Sequence, residues 1–238
     1  MSARNAPAEE PLTLRALAAL LTYPHAELIA ALPEIAGVID GSALLGADDR
    51  GRLAQLVADL GRTDRLLLEE RYVNLFDRGR TTSLHLFEHV HGESRDRGPA
   101  MVDLLQVYEN AGLVLAPGEL PDYLPAVLEY LSCRPLAETR EMLGDCAHIV
   151  RKVGETLAQR GSHYAAVLAA VLVVAAEPGL DWGRAAEPPP PEPPIDEEWA
   201  DTPAFAPPVA EAASPAVIRF MPRPPDPATE VSHKGTLS

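Results

Sequence analysis

From residue 11 to residue 176 the apolar residues recur every three to four positions, and no stretch alternates apolar with polar long enough to form a strand. That period admits one kind of solution, helices laid against one another with each burying a stripe, so the expected fold class is all-α. PLTLRALAALL (11–21) begins at Pro11 and places Leu14, Leu17, Leu20 and Leu21 on one stripe before Tyr23-Pro24 stops it. Residues 25–40 read as a second helix, interrupted or kinked at Pro33 because proline lacks the amide donor. RLAQLVADL (52–60) follows, ended by Gly61, and then TDRLLLEERYVNLF (63–76), with Leu68, Tyr72, Leu75 and Phe76 on one face. Residues 98–112 carry both start and stop signals. Pro99 suits a first helical position, Met101, Leu104, Leu105 and Tyr108 form the stripe, and Gly112 supplies a left-handed cap that folds Leu113 back onto Tyr108. LPDYLPAVLEYL (120–131) and two long helices, about 136–160 and 162–176, complete the series.

The period fails in the last part of the chain. Of 24 prolines, 14 fall in the 53 residues from Ala186 onward, PPPPEPP (188–194) among them. Proline fixes φ and removes a donor, so this stretch is expected to be extended or disordered. The expected organisation is a flexible N-terminus (1–10), one helical domain (11–185) and a proline-rich acidic tail (186–238). Within the tail, IDEEWADTPAF (195–205) sets Trp199 and Phe205 among carboxylates, as solvated chain or as a short docking motif.

A formal charge of −15 argues against nucleic acid and against an anionic membrane surface as partners, and favours a basic one. Cys133 and Cys146 have neither metal-ligand nor C-x-x-C spacing. The longest apolar run, AAVLAAVLVVAA (165–176), is shorter than the roughly 20 residues of a membrane span, and MSARNAPAEEPLTL has no apolar leader, so a cytoplasmic protein is expected.

One short pattern points toward metal chemistry. HLFEH (85–89) fits the H-x-x-E-H arrangement of inverted zinc peptidases. On a helix, however, His85, Glu88 and His89 share a side opposite Leu86, Phe87 and Val90, which is also what a plain amphipathic helix shows. A zinc peptidase needs a third protein ligand, and Gly92 ends the helix within a turn of His89, so no metal site and no catalytic residue is expected. A small-ligand reading stays open, in which Arg95 and Arg97 before Gly98-Pro99 form an anion pocket for a pterin or nucleotide phosphate.

The long block RYVNLFDRGRTTSLHLFEHVHGESRDRGPAMVDLLQVYENAGL, followed by ELPDYLPAVLEYLS and preceded by LLTYP, resembles the nitrate reductase molybdenum cofactor assembly chaperones. These are the delta-subunit, NarJ-like branch of the TorD-type redox enzyme maturation proteins; EEWADTPAF (197–205) resembles their acidic tryptophan-containing tail. The resemblance implies an all-helical cytoplasmic chaperone with no cofactor of its own. Its partners would be the N-terminal segment of the nitrate reductase alpha (catalytic) subunit within the apo alpha–beta complex, and molybdenum cofactor biosynthesis proteins as further candidates. It would support cofactor insertion before membrane docking.

The same block implies a client groove built from Tyr72, Leu75, Phe76, His85, Glu88, His89, His91, Glu93, Arg95, Asp96, Arg97, Met101, Leu104, Tyr108, Pro121, Asp122 and Tyr123. Leu75, Phe76, Met101 and Leu104 lie on stripes that also build the core, the charged residues of 88–97 could pair among themselves in solvent, and Asp122 could serve only a helix dipole. The proline boundary is testable: a chain ending at Ala185 is expected to keep the helical circular dichroism and the cooperative melt of the full protein, and loss of the transition would place tail residues in the packed body.

Overall fold

The structure is a computed structural model and describes residues 9–92 and 94–183; Glu93, Trp199, Phe205 and the readings made of them lie outside this range. Nine α-helices are described: α1 (Glu9–Leu20), α2 (Ala26–Gly41), α3 (Ala47–Arg62), α4 (Arg65–Tyr72), α5 (Leu86–Val90), α6 (Arg97–Asn110), α7 (Leu124–Leu131), α8 (Leu136–Gln159) and α9 (Ala165–Val174). A π-helical turn (Val73–Asp77) and a 3₁₀ turn (Arg80–Thr82) join α4 to α5. Among the described residues there is no strand, only an isolated antiparallel bridge between His85 and Tyr123. The fold is all-α.

Helix α9 organises the bundle. Its sequence AAVLAAVLVV has no polar side chain on any side, and all of its residues but Val173 are buried. A helix apolar all round has to be enclosed, and α8, α3 and α1 enclose it. The approach to α8 depends on Gly154, where a Cβ would lie 3.0 Å from the Leu168 Cβ and 2.9 Å from the Leu180 methyls. Around this centre α1 packs on α2 and α7, and α2 packs on α3.

Two expected interruptions are absent. Helix α2 runs through Pro33, because Leu28, Leu32, Ile35 and Ile39 bury one continuous stripe that outweighs the single lost bond. Helix α3 starts earlier than the apolar pattern, with Asp48 and Asp49 in its first turn where carboxylates favour the helix dipole, and passes through Gly61. The cap on α6 forms as read: Gly112 has φ 79°, its N–H donates to the Glu109 carbonyl (2.9 Å), and the Leu113 N–H donates to that of Tyr108 (3.0 Å).

Helix α9 closes with the same pair of bonds, Ala176 N–H to the Val173 carbonyl (3.0 Å) and Glu177 N–H to that of Leu172 (2.9 Å), but the residue at φ 60° is Ala176. An L side chain in the left-handed region is strained where glycine is not. Ala176→Gly is expected to raise stability by about 0.5–1 kcal/mol in denaturant unfolding, against the usual sign of an Ala-to-Gly change.

Candidate functional site

The site is built where α4 loses its regular turn. Asp64 caps α4 by accepting the Leu66 N–H (3.0 Å), and after Tyr72 the helix widens so that the Arg78 N–H reaches back to the Val73 carbonyl (3.0 Å). This π turn presents Phe76 and Asp77 on one side and Leu75 on another. The chain then turns tightly at Gly79, where a Cβ would lie 2.9 Å from the Thr82 Oγ1, and the Thr82 hydroxyl donates to the Leu75 carbonyl.

Next, α5 is fastened to the turn before α7. The Leu124 N–H donates to the Leu84 carbonyl (2.9 Å) and the Leu86 N–H to the Asp122 carbonyl (3.0 Å). Asp122 is 0% exposed, and its carboxyl accepts the Phe87 N–H (3.1 Å) and lies 3.3 Å from His85 Nδ1. The first amides of a helix have no partner within it, so Asp122 satisfies α5 from another element. Asp122 thus caps α5 from another element while standing one residue before the N-cap of α7.

Three tyrosines close the other wall. The Tyr72 hydroxyl donates to the Leu21 carbonyl at the end of α1 (2.8 Å), which leaves the Tyr123 proton to be shared between the Tyr72 oxygen (2.9 Å) and Leu21 (3.3 Å). Burial pushes both phenols above their ordinary range, so these hydroxyls stay protonated donors. Tyr23 sits edge-on to Tyr72 (5.5 Å between centroids), and the His85 ring lies 5.3 Å from that of Tyr123.

Two depressions result, and they share Phe76, Asp77 and His85. One, of about 370 Å³, is largely aromatic and aliphatic, with Tyr23, Tyr72, Leu84, Leu120 and Tyr123, and carries Glu119 at its edge. The other, of about 450 Å³, is polar, with Arg80, Ser83, Glu88 and Arg97. Together they form one cleft, greasy at one end and charged at the other.

Of the residues picked from the sequence, Tyr72, Phe76, His85, Glu88, Arg97 and Tyr123 line this cleft. Leu75 faces a separate depression across the π turn. Leu104 and Tyr108 are core and Met101 packs against it; the Tyr108 hydroxyl holds the buried Pro121 by its carbonyl (2.8 Å). Arg95 and Asp96 are exposed outside the cleft, and the Arg97 guanidinium sits 3.5 Å from Glu88, so the two arginines do not form a joint anion pocket. Tyr23, Asp77, Arg80, Leu84, Glu119 and Leu120 were not picked; the tyrosine of LLTYP and the DRGR run were the signals available.

The HLFEH histidines part company. His85 precedes α5 in extended backbone (φ −86°, ψ 105°), so the helical spacing to Glu88 and His89 does not begin at it. His89 Nε2 instead lies 2.9 Å from the Ser83 carbonyl oxygen. His91 stacks edge-on against Phe87 (5.5 Å), and its Nε2 is buried without a hydrogen-bond partner. Among the described residues no group of three His, Cys, Asp or Glu side chains could hold a metal ion. Nor do His85 and His89 lie on a solvated face; both are half-buried.

The hydrogen bond to Asp122 raises the His85 pKa above its ordinary 6.5, helped by Glu88 and opposed by burial and Arg97, whereas burial lowers that of His89. Stability from the His85–Asp122 contact is therefore complete below pH 6.5 and is lost as pH rises through the raised value; His89 works in the opposite sense, costing stability as pH falls below 6.5.

Residues 43–170 match the family model described as "Nitrate reductase delta subunit". The nitrate reductase molybdenum cofactor assembly chaperone NarJ of Escherichia coli K12 is 48% identical over 168 residues, covering 71% of each chain. A second protein of that strain, described as a probable chaperone of the same kind, NarW, is 44% identical over 162 residues, covering 68% of this chain and 67% of its own. The nitrate reductase-like protein NarX of Mycobacterium tuberculosis H37Rv is 35% identical over 153 residues, covering 64% of this chain and 22% of its own. The chain belongs to the nitrate reductase delta subunit family. No described helix is long and apolar enough to cross a membrane.

Asp122→Ala is expected to cost about 2–3 kcal/mol, since it strands the Phe87 amide in the interior. In Asp122→Asn the deficit relative to the native chain should shrink as pH rises above 6.5, because only the native chain loses the His85 contribution there; thermal melts from pH 6.5 upward measure it.

Proposed function

We propose that this protein is an assembly chaperone of nitrate reductase that receives the N-terminal segment of the apo alpha subunit in its cleft. It holds the alpha–beta complex open to molybdenum cofactor insertion and delays membrane docking until that is done. The observation that carries this reading is the two-ended cleft, with Tyr23, Tyr72, Leu84, Leu120 and Tyr123 at one end and Asp77, Glu88, Arg80 and Arg97 at the other. An amphipathic helical segment with basic residues suits it, its apolar face against the tyrosines and its cations near Asp77, Glu88 and Glu119. The names of the relatives, assembly chaperones of nitrate reductase, support the choice of client.

Such a complex has to be reversible. Leu120, 42% exposed at the cleft edge, offers an apolar anchor without demanding that the body unfold to release it. The test is calorimetry with a peptide copying the first fifteen or so residues of the alpha subunit from the same genome. Added salt should weaken binding without abolishing it, because exposed charges are screened beyond about 8 Å while burial is not. Leu120→Asp should weaken binding about tenfold, mainly through faster dissociation, and Glu88→Lys should slow association. No binding at low salt, or both variants binding as the native chain does, would overturn the reading.

A further inference from the structure

Across the π turn from the cleft lies a second depression of about 460 Å³, of the size that ligand sites occupy, which the proposed client does not use. Leu60, Leu68, Leu75 and Tyr164 give it an apolar wall, and Arg71 and Arg160 stand at its edge. Arg71 has Asp59 only at 3.8 Å, and Arg160 donates to the neutral Thr81 hydroxyl (3.2 Å) and pairs with no carboxylate among the described residues. Asp59 lines the depression as well and stands within ion-pair reach of Arg71, so the lining carries one surplus positive charge, that of Arg160, beside apolar surface on a chain of net charge −15. What fits is an acidic peptide carrying an aromatic side chain.

The chain has such a segment, and it departs next to the site. Beyond α9, Leu180 is buried against Gly154, and the Trp182 ring lies under the Arg52 guanidinium of α3 (4.5 Å). Arg52, Leu56 and Leu60 follow one another at i, i+4, i+8 along α3, and Leu56 already lines the depression, so it begins about 6 Å along α3 from the arginine that holds Trp182. Trp199 comes 16 residues after Gly183, preceded directly by Asp196, Glu197 and Glu198. A span of that length reaches up to about 53 Å.

We propose that residues 195–205 dock into this depression of their own chain, with Trp199 against the apolar wall and Asp196, Glu197 and Glu198 facing Arg71 and Arg160. Tethering supplies an effective concentration on the order of millimolar, so a contact too weak to hold a free peptide is populated here and is readily displaced. The segment thereby covers the apolar depression and offsets its charge, leaving the client cleft on the far side of the π turn free.

The experiment uses the full chain with Trp182→Phe, which leaves Trp199 as the single tryptophan of two. Its emission should be blue-shifted and its acrylamide quenching weaker than in the same chain unfolded in urea, at every protein concentration tried. Two variants in this background test the partners. Arg71→Glu with Arg160→Glu alters the receiving side, and Asp196→Lys with Glu197→Lys and Glu198→Lys alters the tail without touching the bundle. Each should shift emission to the red and raise quenching toward the unfolded control, with helical circular dichroism unchanged for the tail variant. The proposal is overturned if Trp199 is quenched as freely as in urea, if the tail variant leaves its protection intact, or if protection fades on dilution, which would mean docking onto a second copy.

Discussion

A helix with no polar side chain cannot lie at a surface, and the rest of the molecule is arranged around that constraint. Residues 165–174 offer only alanine, valine and leucine, so α1, α3 and α8 must wrap them, with Gly154 removing the side chain that would keep α8 away. The transfer of nine buried residues from water supplies a driving force that tolerates local faults. A proline inside α2 and a left-handed alanine after α9 persist because the enclosing stripes over-determine both positions.

The cleft is made at the margin of this core, where three segments without a long helix of their own meet: the π turn, the Gly79–Ser83 turn with α5, and the turn before α7. None has enough apolar surface to pack independently, so polar bonds do the fastening. Asp122 ties α5 through a backbone amide and His85, while Tyr72 and Tyr123 gather on the Leu21 carbonyl. Buried polar groups of this kind are costly if one partner is lost, which makes the cleft wall stiff. In the proposed function, such a wall, with an exposed leucine and exposed carboxylates at its edge, would bind by shape and steering and release its client without unfolding.

Charge sets the direction of traffic. A strongly acidic chain repels nucleic acid and attracts basic segments, so a positive patch on it is exceptional and invites an acidic occupant. In the two proposals made above, the faces of the π turn take opposite occupants, a basic client on the side of Asp77 and Glu88 and an acidic segment on the side of Arg71 and Arg160.

The helical class, the order of the helices and the α6 cap are legible in the chain's local pattern, because they rest on apolar period and on one glycine that must take positive φ. The long block from Arg71 onward also pointed to the family. How neighbouring residues part is set by contacts made across the fold. Leu75 and Phe76 shared a face at 100° per residue, yet one extra residue in the turn sends them to opposite depressions. His85, Glu88 and His89 looked like one polar face, but His85 stands before the helix and answers to Asp122, 37 positions away, while His89 answers to Ser83. Asp122 read as a dipole partner of its own helix, and it also caps another. Local pattern carries no record of a hydrogen bond made across the fold, and this cleft is made of such bonds.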